Sequence, residues 1–335
     1  MRSNREYWLD HLKIFACVLV ALGHFFQSMT AANIIEASHM YECFNKTIYY
    51  FHVPLFFICS GYLYQKTCEI NGLSEWKDNV FRKVITLGIP YLTFSTITWL
   101  LKTIFSSSVN RQIGGLVDTL VFHPTSPYWY LYCLLFIFVI TPTIKNKTYF
   151  KLVIVLSVIG KILSCSGIKA GVYAFDIVLA NEIWFVLGMV LFLQRMKLSK
   201  LRISCAAVSG ILFIIFSVIV YWNSVQNGFV SFVLGLLACF SCVTLFMSNV
   251  NHEKKILTSL AKYTMPIFLM HTIFAAPVRI VLMKLGVANI IVHVILGLGI
   301  SFAGPIIAAE IMERYIGMDF FVYPGKYIKF KRLNS

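Results

Sequence analysis

Charge is scarce in this chain. Only 13% of its 335 residues are Asp, Glu, Lys or Arg, while 59% are hydrophobic and mean hydropathy is +0.77. Soluble domains carry about 25% charged residues. Too few charges remain to coat a water-facing surface of this size, which excludes a soluble enzyme. Disorder is excluded as well, because disordered chains lack aromatics and this one is 16% aromatic. No low-complexity tract, clear internal repeat, Walker motif, dinucleotide fingerprint or nucleophile elbow is present. Nine cysteines, an odd number in a long chain, do not describe a small disulfide scaffold. Cys239 and Cys242 have C-x-x-C spacing inside an apolar stretch, without a His or acidic cluster beside them. We read them as packing residues and assign no metal.

Long apolar blocks fill the sequence instead. A bilayer core of about 30 Å takes about 20 apolar residues per helix. Ten stretches qualify: about 12–31, 47–66, 84–105, 127–144, 149–168, 176–194, 203–222, 228–248, 263–283 and 288–310. The fifth contains Lys161 and the sixth Glu182, which makes them the weakest. The runs are continuous rather than alternating, so they are helices and not barrel strands. The expected fold is all-α, a polytopic transmembrane bundle of about ten helices with both termini cytoplasmic. The first stretch is long enough to span and nine others follow it. It also carries Lys13 and His24, so we read it as a span and not as a cleaved signal peptide. The longest loops, about 67–83 and 106–126, leave no room for a soluble domain.

The net charge of +15 has two readings: a nucleic-acid partner, or orientation in a membrane. The position of the 29 basic residues separates them. With the N-terminus inside, Lys46, Lys102, Arg111, Lys169 and Lys284 fall on outer segments, and Lys13, Lys161 and Arg279 fall within spans. The other 21 fall on inner segments. This bias supports the orientation and leaves nothing for nucleic acid to explain.

Ionisable groups inside spans are costly and mark function. Here they are Lys13, His24, His52, Lys161, Glu182, His271, Arg279 and His293. Lys13 and His24 are separated by about 1100° of helical rotation, three turns plus roughly 20°, and by about 16 Å along the axis. They share a face, with Lys13 at the cytoplasmic mouth and His24 near mid-membrane. Asp10 stands one turn before Lys13 and is placed to pair with it. A cation at the mouth and a histidine deep inside suit a long anionic substrate. The alternative is snorkelling for Lys13 and a helix–helix hydrogen bond for His24. In the second span Pro54 frees backbone carbonyls and Gly61 permits close approach of a neighbour. His52 lies near its outer end, as a packed interfacial residue or a substrate contact. Trp129 and its neighbouring tyrosines, Glu182, Arg279 and His293 describe either an interfacial belt or an outer polar platform for a sugar.

These residues, in this order, resemble acyltransferase family 3. The likeness runs through Trp8-Leu9-Asp10, Leu12-Lys13, Ala16 and Gly23-His24, then Val53-Pro54-Leu55-Phe56-Phe57 and Ser60-Gly61-Tyr62. Arg82-Lys83 with Pro90-Tyr91 follow. Weaker echoes are Trp129 with Leu131, Phe185 with Leu187-Gly188, and Pro266 through His271. The resemblance implies a single integral-membrane acyltransferase domain over 1–335, with 315–335 as a basic cytoplasmic tail. It implies a ten-helix enzyme that moves an acyl group, most often acetyl, from cytoplasmic acyl-CoA to a hydroxyl of a cell-envelope sugar, glycan or lipid-linked precursor. Acetyl-CoA is then a co-substrate, with no tightly bound cofactor. Membrane lipids surround the chain, in the cell (inner or plasma) membrane.

The family signature places an arginine where this chain has Lys13, and a histidine at His24. Lysine supplies a point charge without arginine's bidentate fork, as in the branch similar to sugar O-acetylases. On this likeness His24 is the catalytic base or a transient acyl carrier, with Lys13 and Asp10 beside it. Lys13, Arg82 and Lys83 meet the phosphates of the donor. His52, Ser60, Tyr62, Trp129, Glu182, His271 and Arg279 are acceptor-side or orienting candidates, with Tyr62, Ser60 and His271 considered for an oxyanion. A secondary transporter is the alternative, because intramembrane charge and helices broken at Pro54 and Pro266 suit one. No half-to-half match accompanies them.

Overall fold

The computed structural model describes residues 6–68, 70–106, 114–198, 203–248, 255–315 and 317–328. Among the described residues every regular element is helical. In chain order these are α1 Tyr7–Ala31, α2 His39–Tyr49, α3 His52–Thr67, α4 Leu73–Lys83, α5 Ile89–Ile104, α6 Trp129–Ile140, α7 Lys147–Cys165, α8 Tyr173–Leu198, α9 Ile203–Trp222, α10 Gly228–Ser248, α11 Lys255–Ala261, α12 Thr264–Lys284 and α13 Ile290–Arg314. Local chemistry sets several starts. Ser38, Asn146 and Asn289 cap α2, α7 and α13 by accepting hydrogen bonds from first-turn amides. Asn33 closes α1 with φ of 56°, a left-handed geometry that asparagine tolerates.

Each of the ten apolar stretches contains a helix. Eight helical segments are long and apolar enough to cross a membrane, counting Leu73–Ile104 as one continuous 32-residue piece through a π-helical turn at Val84–Gly88. The other two stretches hold the shorter helices, α3 with 16 residues and α6 with 12. The bundle exposes the large apolar side chains that a soluble protein hides. Ile211, Ile214, Ile215 and Ile219 of α9 all face outward. With no water to satisfy backbone groups in hydrocarbon, helices carrying such a surface are the stable solution.

The tightest packing joins α3 to α8. A Cβ at Gly61 would lie 1.8 Å from the Phe185 carbonyl oxygen, and one at Gly188 would lie 2.0 Å from that of Ile58. Small residues let the two backbones touch, which is how helices associate when solvent gives no hydrophobic drive. This contact fixes α3, and therefore His52 and Val53, against the centre of the bundle.

Three sequence expectations change. The second span does not begin near 47, because residues 39–49 form α2 and the chain turns at Phe51 before α3. Pro54 and Pro266 do not break helices. Each is the third residue of its helix, where no intrahelical N–H partner is lost. The interior prolines are Pro277 and Pro305. The stretch 67–83 is largely α4 rather than loop. Part of the tail is folded: around Gly317, which has φ of 88°, the chain turns so that Asp319 accepts hydrogen bonds from Lys326 (2.9 Å) and Tyr327, and Tyr323 donates to the Lys262 carbonyl. Residues 329–335 of that tail lie outside the described residues.

Candidate active site around His24

His24 lies on α1 about 10 Å of helix axis before its end at Ala31. Its side chain forms part of the wall between two chambers. One has a volume of about 320 Å³ and brings together His24, Tyr49, His52, Trp129, Lys161 and Trp184. The other, about 590 Å³, is lined by His24, Gln27, Ser28, Tyr41, Lys102 and Arg279. A small recess of about 20 Å³ between His24 and His52 is floored by Tyr130 and Phe268.

Three imidazoles meet here. The His24 and His271 ring centroids are 5.4 Å apart with the planes tilted by 31°. His271 donates from Nδ1 to the carbonyls of Ile267 (2.8 Å) and Phe268 (3.0 Å), and its buried Nε2 has no partner among the described residues. His52 donates from Nδ1 to the Ile48 carbonyl at 2.8 Å and stacks edge-on to Tyr49 at 4.6 Å. Backbone carbonyls one helical turn away thus fix both tautomers and leave each Nε2 lone pair turned away from the backbone. With Nδ1 carrying the proton, His271 Nε2 is an acceptor, which does not suit an oxyanion donor. The Ser126 hydroxyl lies 3.3 Å from His24 Nε2. That contact shows that a hydroxyl reaches this nitrogen at hydrogen-bond distance. Among the described residues no group of three or more His, Cys, Asp or Glu is arranged to hold a metal ion.

The sequence-picked residues divide into those the fold gathers here and those it does not. His24, His52, Trp129 and Arg279 line the chambers, and His271 stands behind His24. Ser60 reaches the site at one remove, through a 3.0 Å bond to the Tyr130 hydroxyl. Tyr62 does not reach it. On α3 it stands about 15 Å of axis from His52, donates to Glu6 (3.1 Å) and packs edge-on to Trp8. Glu182 accepts from Thr141 (2.8 Å), away from Arg279, and His293 closes its own loop by bonding the Val287 carbonyl (2.9 Å). The outer set of Glu182, Arg279 and His293 is therefore not one cluster. Helical position alone placed them at similar depth, but their side chains bond different partners, Thr141, Ser28 and Val287.

Asp10 and Lys13 lie three turns or more before His24 on α1. Ala16, Cys17 and Val20 are buried between Lys13 and His24. Lys83 sits 3.9 Å over the Phe138 ring, and the Arg82 carbonyl accepts from Thr86. None of the cavities that meet at His24 is lined by Lys13, Arg82 or Lys83. Glu6, just before α1, gathers the Trp8 indole (2.8 Å), the Tyr62 hydroxyl and the Lys66 ammonium (2.8 Å). Burial pushes its carboxyl up. The hydrogen bonds from Lys66, Trp8 and Tyr62 outweigh that and hold it below the usual carboxylate value.

Several site residues were missed from sequence. Ser126 had no signal beyond its Pro127 neighbour. Tyr130 was read only with its aromatic group. Lys161 was noted as an intramembrane charge but not placed. It bonds the Ala180 carbonyl (2.9 Å) and lines the smaller chamber over the Phe232 ring, 5.1 Å away. Its position within an apolar stretch was the signal that finds it.

The sequence matches the acyltransferase 3 model, described as an acyltransferase domain, over residues 6–310. The chain belongs to the acyltransferase 3 family. That family's model is described as an acyltransferase domain, and the two prolines that were one ground for a transporter do not break their helices. Among curated proteins, the chain is 29% identical over 141 residues to nodulation protein NolL of Mesorhizobium japonicum (strain LMG 29417 / CECT 9101 / MAFF 303099), covering 41% of this chain and 35% of that protein. It is 28% identical over 139 residues to nodulation protein NolL of Sinorhizobium fredii (strain NBRC 101917 / NGR234), covering 42% and 36%. The matched region thus spans about a third of each relative's length. No solved structure matches.

Proposed function

We propose that the protein is a multi-pass O-acyltransferase of the cell membrane. It moves an acyl group, acetyl by the family resemblance, from cytoplasmic acyl-CoA to a hydroxyl of an envelope sugar, glycan or lipid-linked precursor. In this reading α3 and α6 complete a count of ten spans, and both termini face the cytoplasm.

The observation that carries the reading is the placement of His24 at the junction of two chambers, with a hydroxyl 3.3 Å from its Nε2 and the His271 ring behind it. His24 takes the proton of the acceptor hydroxyl as its oxygen attacks the thioester carbonyl. The C–S bond breaks, coenzyme A leaves as thiolate, and the proton passes to that thiolate. The Ser126 contact favours this base role over an acyl-histidine. His271 and His52, each with Nδ1 committed to backbone, hold orientation and accept hydrogen bonds. Trp129 and Tyr49 offer flat faces to a sugar ring. Lys13, Arg82 and Lys83 supply positive charge for the donor phosphates on the inner side, and the donor's arm covers the roughly 16 Å from Lys13 to His24.

The test is mass spectrometry of envelope glycans from cells carrying the wild-type chain, the His24→Ala variant, or neither. One acetyl mass on a specific sugar, present only with the wild type, is the expected result. Unchanged acylation with inserted His24→Ala protein overturns the assignment of His24.

A further inference from the structure

A third cavity, of about 370 Å³, lies between α5 and α12. Its walls are apolar: Leu101 and Phe105 on α5, and Ile273, Ala276 and Ile280 on α12. Around it the outward side chains Ile97, Leu100, Ile104 and Val281 are exposed, so the groove opens on the face that meets lipid tails. Its inner end is not apolar. Ser126 lines it, and Ser126 is the residue bonded to His24. Lys102, Ala276 and Ile280 also line the 590 Å³ chamber, which makes the two cavities neighbours.

The charge at this place runs against the rest of the molecule. Only five basic residues fall on outer segments in the proposed orientation, and two of them, Lys102 and Lys284, line this groove. Arg279 adds a third cation in the adjoining chamber. It is 7% exposed, bonds the Ser28 carbonyl at 2.8 Å and the Ser28 hydroxyl, and leaves its Nε buried without a partner among the described residues. Arg279 lines that chamber, and a permanently charged guanidinium in its wall suits an anion. The apolar slot opens to lipid, Lys102 and Lys284 line its outer end, and Lys102 is shared with the adjoining chamber that Arg279 and His24 line, so a hydrocarbon tail in the slot, a phosphate at the cations and a hydroxyl in the chamber follow in that order.

We propose that the groove between α5 and α12 seats the tail of a phosphate-linked lipid carrying the acceptor sugar, with the phosphate at Lys102, Arg279 and Lys284 and a sugar hydroxyl delivered to His24. This rests on the transferase reading and narrows it to a membrane-borne acceptor that enters sideways. A water-soluble glycan gains nothing from the apolar walls. An ordinary phospholipid fills the slot but brings no sugar hydroxyl to Ser126 and His24.

The experiment uses the full chain in phosphatidylcholine proteoliposomes and a photoactivatable prenyl phosphate as probe. Labelling is expected on α5 and α12, competed by prenyl phosphate and not by phosphatidylglycerol. Lys102→Glu with Lys284→Glu reduces labelling about tenfold. Ala276→Trp, which fills the groove, abolishes it, and Lys169→Glu, an outer lysine elsewhere, leaves it unchanged. Equal competition by phosphatidylglycerol, or labelling indifferent to the charge reversals in chains that still elute as folded protein, overturns the proposal. Acyl-CoA cleavage is read in parallel in native membranes. Cleavage without groove labelling overturns the groove and leaves the transferase standing. Labelling without cleavage overturns the transferase reading, and with it the acceptor role of the groove.

Discussion

The Glu6 hub and the His24 chamber are built from similar side chains and end in opposite states. At Glu6 an indole, a phenol and an ammonium converge on one carboxylate. At His24 three imidazoles converge, but the two whose tautomers are set are anchored by backbone carbonyls, and the third faces a hydroxyl across a cavity wall. Polar groups that satisfy each other hold a fold together. Polar groups anchored from behind, with a free face toward a cavity, are available to a ligand. On the proposed function the difference favours the second cluster as the reacting one, with Tyr62 committed to the first.

The largest expected effect is at the chamber. His24→Ala lowers acyl transfer by about 10² to 10⁴ without changing membrane insertion or the unfolding midpoint, whereas Tyr62→Phe keeps near-normal turnover. The reverse ranking, measured by acyl-CoA thioester cleavage, would move the chemistry to the inner hub. Next is the donor contact. Lys13→Glu raises the KM for acyl-CoA about tenfold, the effect of roughly 1.4 kcal/mol, and Lys13→Arg restores it because the sign of the charge is kept. An unchanged KM in Lys13→Glu removes Lys13 from the donor site.

A third change tests the scaffold that separates the two regions. Gly188→Ala forces a Cβ against the Ile58 carbonyl and costs about 1–3 kcal/mol, read as a lower unfolding midpoint in detergent with loss of activity in proportion to folded protein. The smallest effect is at the hub itself. Glu6→Gln costs about 1 kcal/mol and leaves the KM for the acceptor unchanged. Glu6 has a lowered folded-state pKa. Its stabilisation is therefore full above the ordinary carboxylate value of 4.5 and lost as pH falls through the lowered value. Melting followed from pH 7 to pH 3 should show this loss in the wild type and a flatter profile in Glu6→Gln.

Much of the fold was legible because hydrocarbon is an undemanding solvent to read. A run of 20 apolar residues has one structural solution there, and each expected stretch contains a helix. The pair Gly61 and Gly188 was half legible. Gly61 was expected to admit a neighbour, but which helix came close was not. The site was less legible. Lys13 and His24 stand out because both are costly and lie on one helix face. The expected platform of Glu182, Arg279 and His293 failed because similar depth in different helices does not give a shared direction. Ser126 was invisible, since a serine in a polar loop is unremarkable until a distant helix brings His24 to it.

The sequence by itself determined the solvent, the secondary structure and the rare charges, because each depends only on the local cost of placing a residue in a membrane. Which charges meet depends on helix rotation and partner choice. Those were decided by contacts far apart in the chain, above all the backbone contact of α3 with α8. Only the tertiary structure shows that His24 lines two chambers, that Tyr62 bonds Glu6, and that Lys102 and Lys284 line one apolar groove.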